Sequence, residues 1–398
     1  MIPAAGVPSK TDSATLTRRL TSVDALRGIV MILMALDHVR DFFGTPGVSP
    51  TNLAQTTVPL FLTRWITHIC APTFFLLTGT GAFLSLERKS IPELSRYLFI
   101  RGVWLIVLEL TVIRCLGFQF NFDYQVTMLV VIWALGWAMV VLAALVWLPP
   151  SIILTFGVVM IAGHNLLDGI RSANPIWVML HSPDFVVNRP GFVVFAPYTL
   201  IPWVGVTAVG YVFGRVYRWT PERRRAFLLK AGLGLAAAFV VLRAINVYGD
   251  PAPWSTQASS AMTTVSFLNV TKYPPSLLFL LMALGPALLI LRALDGGTPR
   301  ILAPAIVFGR VPLFYFLLHL PLIHLLAVVA CYWQNGAVYW MLQSPNLGAY
   351  PFTPPPGWGL SLPTIYLLWV LVVVMVYLAC QWFASVKQRR TDSWLTYL

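Results

Sequence analysis

Charged side chains are scarce in this sequence. Only 10% of its 398 residues are Asp, Glu, Lys or Arg, where a soluble domain carries about 25%, so water is not its main solvent. Acidic residues are the scarcer sign, 14 against 27 basic ones, which leaves a formal charge of +13. Such an excess draws nucleic acid when it covers a soluble face. Here the basic residues fall in short clusters between long apolar runs, a pattern of membrane topology that excludes nucleic acid as a partner. Cysteine is limited to Cys70, Cys115, Cys331 and Cys380. None stands in a CxxC or Cys/His spacing, which excludes a thiolate zinc site and leaves buried thiols. A Gly-rich phosphate loop is missing, as are internal repeats and a soluble domain. Residues 1–20 are polar, and no small-residue cleavage site follows a short apolar core, so the first apolar run is expected to remain as a span.

What the sequence does have is hydrophobic mass. Apolar residues make up 58% of it, mean hydropathy is +0.76, and 15 Trp can populate aromatic belts at two interfaces. The fold class expected is all-α, a polytopic transmembrane helical bundle. With about 20 apolar residues needed per crossing, about ten spans are expected, near 23–43, 58–86, 97–118, 126–148, 151–168, 194–217, 225–247, 274–295, 303–330 and 361–386. Pro72, Pro202, Pro286 and Pro321 predict kinks within them.

Basic residues concentrate after the even-numbered spans. Arg88, Lys89 and Arg96 follow the second, and Arg215, Arg218, Arg223, Arg224 and Arg225 the sixth. Arg292 and Arg300 follow the eighth, and Lys387, Arg389 and Arg390 the last. The opposite loops hold few beyond Lys272, Arg171 and Arg189. By the positive-inside rule both termini are cytoplasmic. The expected organisation is a cytoplasmic N-terminal segment over 1–21, a single transmembrane domain over 22–390 and a cytoplasmic tail over 391–398. Outer loops near 169–193, 248–273 and 332–360 are long enough to cap an outward cavity. The chain is thus expected to be an integral, multi-pass protein with the lipid bilayer as its partner.

Ionisable residues inside spans mark function by default. Thr21 and Asp24 have capping-box spacing, expected to start the first helix at the cytoplasmic face, with Arg27 snorkelling to the same interface. Further along come Asp37, His38, Arg40 and Asp41. At 1.5 Å per residue His38 stands roughly 22 Å above the helix start, in the outer half of the bilayer. Asp37 and Arg40 are spaced to pair, as are His38 and Asp41. Span two brings Arg64 and His68, four apart, with a kink at Pro72. Span nine brings Tyr315 and His319 to a similar level, while His324 reads as packing. Lys272 and Tyr273 fall at the outer edge, and Glu109, Arg114 and Arg243 come out in the same half. His164 and His181 are expected to face solvent. Imidazoles with carboxylate neighbours at one depth suit general acid–base chemistry in a shared polar cavity.

Ser22-x-Asp24-x-x-Arg27-Gly28 entering an apolar first span resembles the opening of the lysosomal heparan-α-glucosaminide N-acetyltransferase family. The likeness continues through Asp37-His38, Thr67-His68-x-x-Ala-Pro72-x-Phe and Tyr315-x-x-x-His319. The chain looks similar to bacterial members of that family over most of its length, including Phe267-Leu-Asn269-x-x-Lys272-Tyr273-Pro274-Pro275-Ser276. The eukaryotic enzyme uses a His in the loop after its first span. This chain has no His between His38 and His68, so that residue does not carry over.

The resemblance implies a multispan acyltransferase of the bacterial inner membrane. It takes an acetyl group from cytoplasmic acetyl-CoA, as donor substrate, to an amine or hydroxyl acceptor, a small molecule or glycan, across the membrane. Such transfer needs a base for the acceptor proton and donors for the oxyanion. The expected catalytic residues are His38 as base, Asp37 or Asp41 orienting it, and His68 or His319 at the carbonyl or acceptor. Arg40, Arg64, Lys272, Tyr273 and Tyr315 are expected to bind the acceptor, and Arg27 with Asp24 the CoA end. No metal is expected, and a homodimer is left open. The alternative is a transporter or flippase using the same buried charges, although the halves show no inverted repeat.

Overall fold

The computed structural model describes residues 10–345, 351–390, 392 and 395, with side chains from residue 21 onward. Much of the expected N-terminal segment (1–9) and of the tail (391, 393, 394 and 396–398) lies outside the described residues. The chain is mostly helical. Helix α1 (Lys10–Phe43) begins well before Thr21, so the expected cap at Thr21–Asp24 is corrected: Asp24 sits inside a continuous helix. α2 (Val58–Ile66) passes through a 3₁₀ turn at Thr67–Ile69 into α3 (Cys70–Leu84). The expected kink is that turn. Pro72 has no N–H to donate and its ring crowds the carbonyl four residues back, so regular α-helix breaks at His68.

α4 (Ile91–Leu108) starts from a capping box in which the Glu93 carboxylate accepts from the Ser90 amide at 2.8 Å. It widens into a π-helix over Glu109–Gln119. Then follow α5 (Val131–Leu145), α6 (Pro150–Gly163), α7 (Pro175–Leu180), α8 (Leu200–Phe213), α9 (Pro221–Ile245), α10 (Ser260–Leu268) and α11 (Leu277–Asp295). The last are α12 (Ala303–Arg310), α13 (Pro312–Asn335), α14 (Tyr339–Leu342) and α15 (Leu362–Arg389).

Among the described residues seven helical segments are long and apolar enough to cross a membrane: Val58–Glu87, Pro150–Leu167, Leu200–Arg218, Pro221–Ile245, Leu277–Asp295, Pro312–Asn335 and Leu362–Arg389. The other three expected spans are also helical. α1 carries Asp37, Arg40 and Asp41 in its second half, α4 holds Glu93, Arg96 and Arg101, and α5 has only 15 residues. The span expected from 303 is broken at Val311, where Pro312 opens α13.

The segments expected as the fourth and sixth spans begin instead in a small three-stranded sheet. β1 (Val126–Met128) pairs in parallel with β3 (Phe192–Ala196), and β3 pairs antiparallel with β2 (Asp184–Arg189). Pro190 and Gly191 turn β2 into β3, with Gly191 at φ +73°, a backbone that glycine adopts without steric cost.

α1 runs through the middle, packed against α12, α13, α15, α11 and α3. Its crossing with α12 needs two glycines. A Cβ on Gly28 would stand 1.7 Å from the Ala305 carbonyl oxygen, and one on Gly309 would stand 1.9 Å from that of Asp24. Backbones this close rely on the small-residue packing typical of membrane helices. α9 and α15 instead turn Leu233, Val240, Val241, Leu367, Val370, Val374 and Leu378 outward. Water would penalise these faces; acyl chains do not. The protein is an integral membrane protein.

Candidate active site

The candidate site is built on the C-terminal half of α1. Asp37 lies between two guanidinium groups, pairing with Arg40 Nη1 at 2.7 Å and with Nη1 of Arg64 from α2. Arg40 Nη2 also donates to Asp41 at 2.6 Å. All but Asp41 are largely buried. Two acids and two arginines balance, so no net charge is left in a medium where a bare ion is costly. Both carboxylates expected to orient His38 are thus engaged by arginines, and Arg64, expected at the acceptor, is engaged by Asp37.

His38 and His319 are brought together. Their ring centroids lie 5.3 Å apart, and Tyr315 stacks on His319 at 4.9 Å. The Tyr315 hydroxyl donates to the Met31 carbonyl at 3.0 Å, fixing α13 against α1. His319 Nδ1 lies 3.0 Å from the Tyr315 carbonyl and 2.9 Å from that of Phe316. Carbonyls only accept, so the ring proton resides on Nδ1 and Nε2 keeps its lone pair. That Nε2 is fully buried and has no hydrogen-bond partner among the described residues. A buried acceptor left unpaired is costly, and a buried lone pair with a second imidazole ring nearby can take a proton.

His68 is held edge-on to Phe279 at 5.2 Å, its Nδ1 likewise without a partner among the described residues. Lys272 and Tyr273 come from the segment before α11, where Lys272 Nζ lies 5.2 Å from the Tyr273 ring centroid. The Lys272 charge acts on Asp37. Asp250, not singled out from the sequence, holds this segment together with Arg243 and Asn269. The Asp250 carboxylate accepts from the Thr271 amide at 2.8 Å and the Ser276 hydroxyl at 2.7 Å. Arg243, 1% exposed, donates to the carbonyls of Phe267, Ala252, Ser266 and Asn269. The Asn269 amide reaches the Thr51 carbonyl at 2.9 Å. Arg243 is therefore a clasp on the segment before α11.

Other polar residues have structural partners. Glu109 accepts from the amides of Ile132 and Trp133 at 3.0 and 3.2 Å, capping α5. Arg114 ties the π-helix to Asn121 and Val126. His324 bridges the carbonyls of Gly117 and Met341. His164 and His181 are each 2% exposed, which corrects the expectation that they face solvent: α7 and the turn after it fold back over the end of α6.

Two cavities flank the cluster along α1. One, of about 350 Å³, is lined by Arg27, Arg101 and Lys387 at its polar end, with apolar walls that include Met34 and Phe316. Met34 is one helical turn from His38, and Phe316 one turn from His319. Asp24 holds Arg27 at 2.9 Å, and Arg27 also donates to the Gly309 carbonyl at 2.7 Å. Arg101 and Lys387 do not stand out in the sequence, because basic residues at span ends read the same whether they mark topology or bind an anion. The second cavity, of about 400 Å³, has Arg40 and Asp41 in its wall, facing Thr45, Phe352, Trp358 and Ser361.

A family model described as heparan-alpha-glucosaminide N-acetyltransferase, catalytic, matches residues 19–246. The match spans more than half of the chain and takes in the Asp37–Arg64 cluster and His68, while Lys272, Tyr315 and His319 lie beyond it. No curated protein matches the chain.

Proposed function

The chain belongs to the heparan-alpha-glucosaminide N-acetyltransferase catalytic family of membrane acyltransferases, and from that premise we propose how it works. It resides in a bacterial inner membrane, crosses it ten times and keeps both termini in the cytoplasm. It moves an acetyl group from cytoplasmic acetyl-CoA to an amine or hydroxyl, on a sugar, at the opposite face. The observation that carries this reading is the placement of the His38–His319 pair between two cavities on one helix. The Arg27 cavity has cations for CoA phosphates and an apolar wall for the pantetheine arm. The Arg40 cavity offers a charged floor and the Trp358 face, which suit a polyhydroxyl acceptor. From Arg27 to His38 is about 16 Å along α1, so an extended arm delivers its thioester toward the imidazoles.

In this mechanism His319 Nε2 takes the proton of the acceptor as its nitrogen or oxygen attacks the thioester carbonyl, and gives it to the CoA sulfur as the C–S bond breaks, so that the acetylated acceptor and free CoA leave. Nδ1–H, donated to the Tyr315 and Phe316 carbonyls, steadies the imidazolium that forms. His38 stands beside it to hold the carbonyl oxygen or pass the proton on. Lys272, outside the balanced Asp37–Arg40–Arg64–Asp41 cluster, supplies positive charge for the developing oxyanion, and Arg40 and Arg64 supply N–H donors on the acceptor side. Asp37 keeps the two arginines in place. His68 and Tyr273 shape the acceptor side, and Tyr315 fixes the His319 ring.

Purified protein in proteoliposomes, given acetyl-CoA on one side and an amino sugar on the other, tests the reading. Release of free CoA with acetylated sugar on the far side is expected. Uptake of the sugar with no thioester turnover would overturn it in favour of a transporter.

A further inference from the structure

Away from the α1 cluster, three potential metal ligands converge where α6 ends. His164 Nδ1 lies 3.4 Å from His181 Nε2, and Asp168 Oδ1 lies 3.7 Å from the same nitrogen. The three atoms all fall within 4.8 Å of one another. Two imidazole nitrogens bound to one tetrahedral ion at about 2.05 Å stand about 3.3 Å apart, so the histidines already have the spacing of a shared ligand pair. A small swing of Asp168 toward them closes the third bond.

The surroundings favour an ion over a simple hydrogen-bond network. Both imidazoles are 2% exposed, and the Pro275 backbone carbonyl accepts a hydrogen bond from the His164 ring, the outer contact that leaves one imidazole nitrogen to ligate. His181 Nε2 donates to the His164 carbonyl at 2.9 Å. It thereby spends its one donor on a backbone oxygen while a nitrogen and a carboxylate oxygen crowd the same point. Moving that proton to Nδ1 frees Nε2 as a ligand. Trp177, stacked on the His181 ring at 5.4 Å, fixes its plane. The second carboxylate oxygen of Asp168 is held by the Asn165 amide at 2.8 Å, the outer-shell contact that orients a ligating carboxylate.

We propose that His164, Asp168 and His181 bind one divalent transition-metal ion of the zinc class, with water in a fourth position. Two imidazoles select such ions over calcium or magnesium, which prefer all-oxygen shells. The ion joins the end of α6 to the turn between α7 and β2. Asn165, in the same turn, accepts from the Leu277 amide at 2.9 Å, and Leu277 begins α11 directly after the segment that carries Lys272. The site therefore clamps the outer cap to the helix that follows it.

The test uses tag-free full-length protein in detergent, equilibrated with Zn²⁺, freed of excess ion and measured for zinc per chain. One zinc per chain is expected, with a thermal midpoint that rises on zinc addition. His164→Ala/His181→Ala abolishes both effects. Asp168→Asn, which keeps an acceptor for Asn165, weakens binding by on the order of tenfold or more and preserves a monodisperse chain if the double variant does not fold. A wild-type chain that takes up no stoichiometric zinc, or zinc retained in full by Asp168→Asn and by the double variant, overturns the assignment.

Discussion

His38 and His319 come from helices far apart in sequence and meet with ring centroids 5.3 Å apart. The Nδ1–H of His319 is already committed to two backbone carbonyls. One face of the pair is thus fixed, and the other, Nε2, is left as a buried lone pair.

Replacing that lone pair should remove catalysis and spare the fold. His319→Ala is expected to lower acetyl-CoA turnover by roughly 10²–10⁴-fold, the range for loss of a positioned base. His38→Ala should lower it by a smaller factor, since among the described residues no backbone bond fixes the tautomer of His38. Thiol release from acetyl-CoA, measured beside the size-exclusion profile of each variant, checks the order. Full activity in His319→Ala would remove this residue from the chemistry.

Asp37 is held between Arg40 and Arg64, so its loss leaves Arg64 buried without its carboxylate while Arg40 keeps only Asp41 among the described residues. Asp37→Ala should destabilise the protein by about 3–5 kcal/mol, the cost of breaking a buried pair from one side. Removing Arg64 as well should restore part of it, because the remaining cluster is then closer to balance. Unfolding in detergent by heat or denaturant reads this out. An equal loss in the single and double variants would show that Asp37 acts without Arg64.

Much of this arrangement is legible in the sequence, and the gaps have physical causes. Asp37, Arg40, Arg64, His38 and His319 stand out because charge inside a span is rare and helical rise gives its depth. Which acid pairs with which base depends on how α1, α2 and α13 rotate against one another, and periodicity does not report rotation. The β2–β3 hairpin is masked by hydropathy, since Phe192–Ala196 reads as the start of a span. Pro190-Gly191 between β-branched and aromatic residues is the turn signal that marks it. His164 and His181 look solvent-facing in sequence because nothing local shows that α7 folds back over them.

Gly28 explains itself only in three dimensions. The Ala305 carbonyl occupies the space of a side chain there, so Gly28→Ala and Gly309→Ala should push α1 from α12 and abolish a monodisperse product. Gly81 borders the Arg27 cavity, and a Cβ there would meet nothing within 4 Å, so Gly81→Ala should fold normally. Fluorescence-detected size exclusion of the three variants separates these outcomes. A well-folded Gly28→Ala chain would mean that the α1–α12 crossing is looser than described.

Arg101 and Lys387 line the same cavity as Met34 and Phe316, which stand one helical turn from His38 and His319. If CoA phosphates lie there, each cation adds a charge-assisted contact worth about 1.5–3 kcal/mol, present equally in the bound substrate and in the transition state. Uniform binding of this kind changes KM and leaves kcat alone. Arg101→Ala and Lys387→Ala should therefore each raise the KM for acetyl-CoA by about 10- to 100-fold with kcat close to wild type. An acetyl thioester lacking the nucleotide should be used equally well by all three proteins. A fall in kcat at unchanged KM would place these cations near the reacting carbonyl instead and move the donor nucleotide out of this cavity.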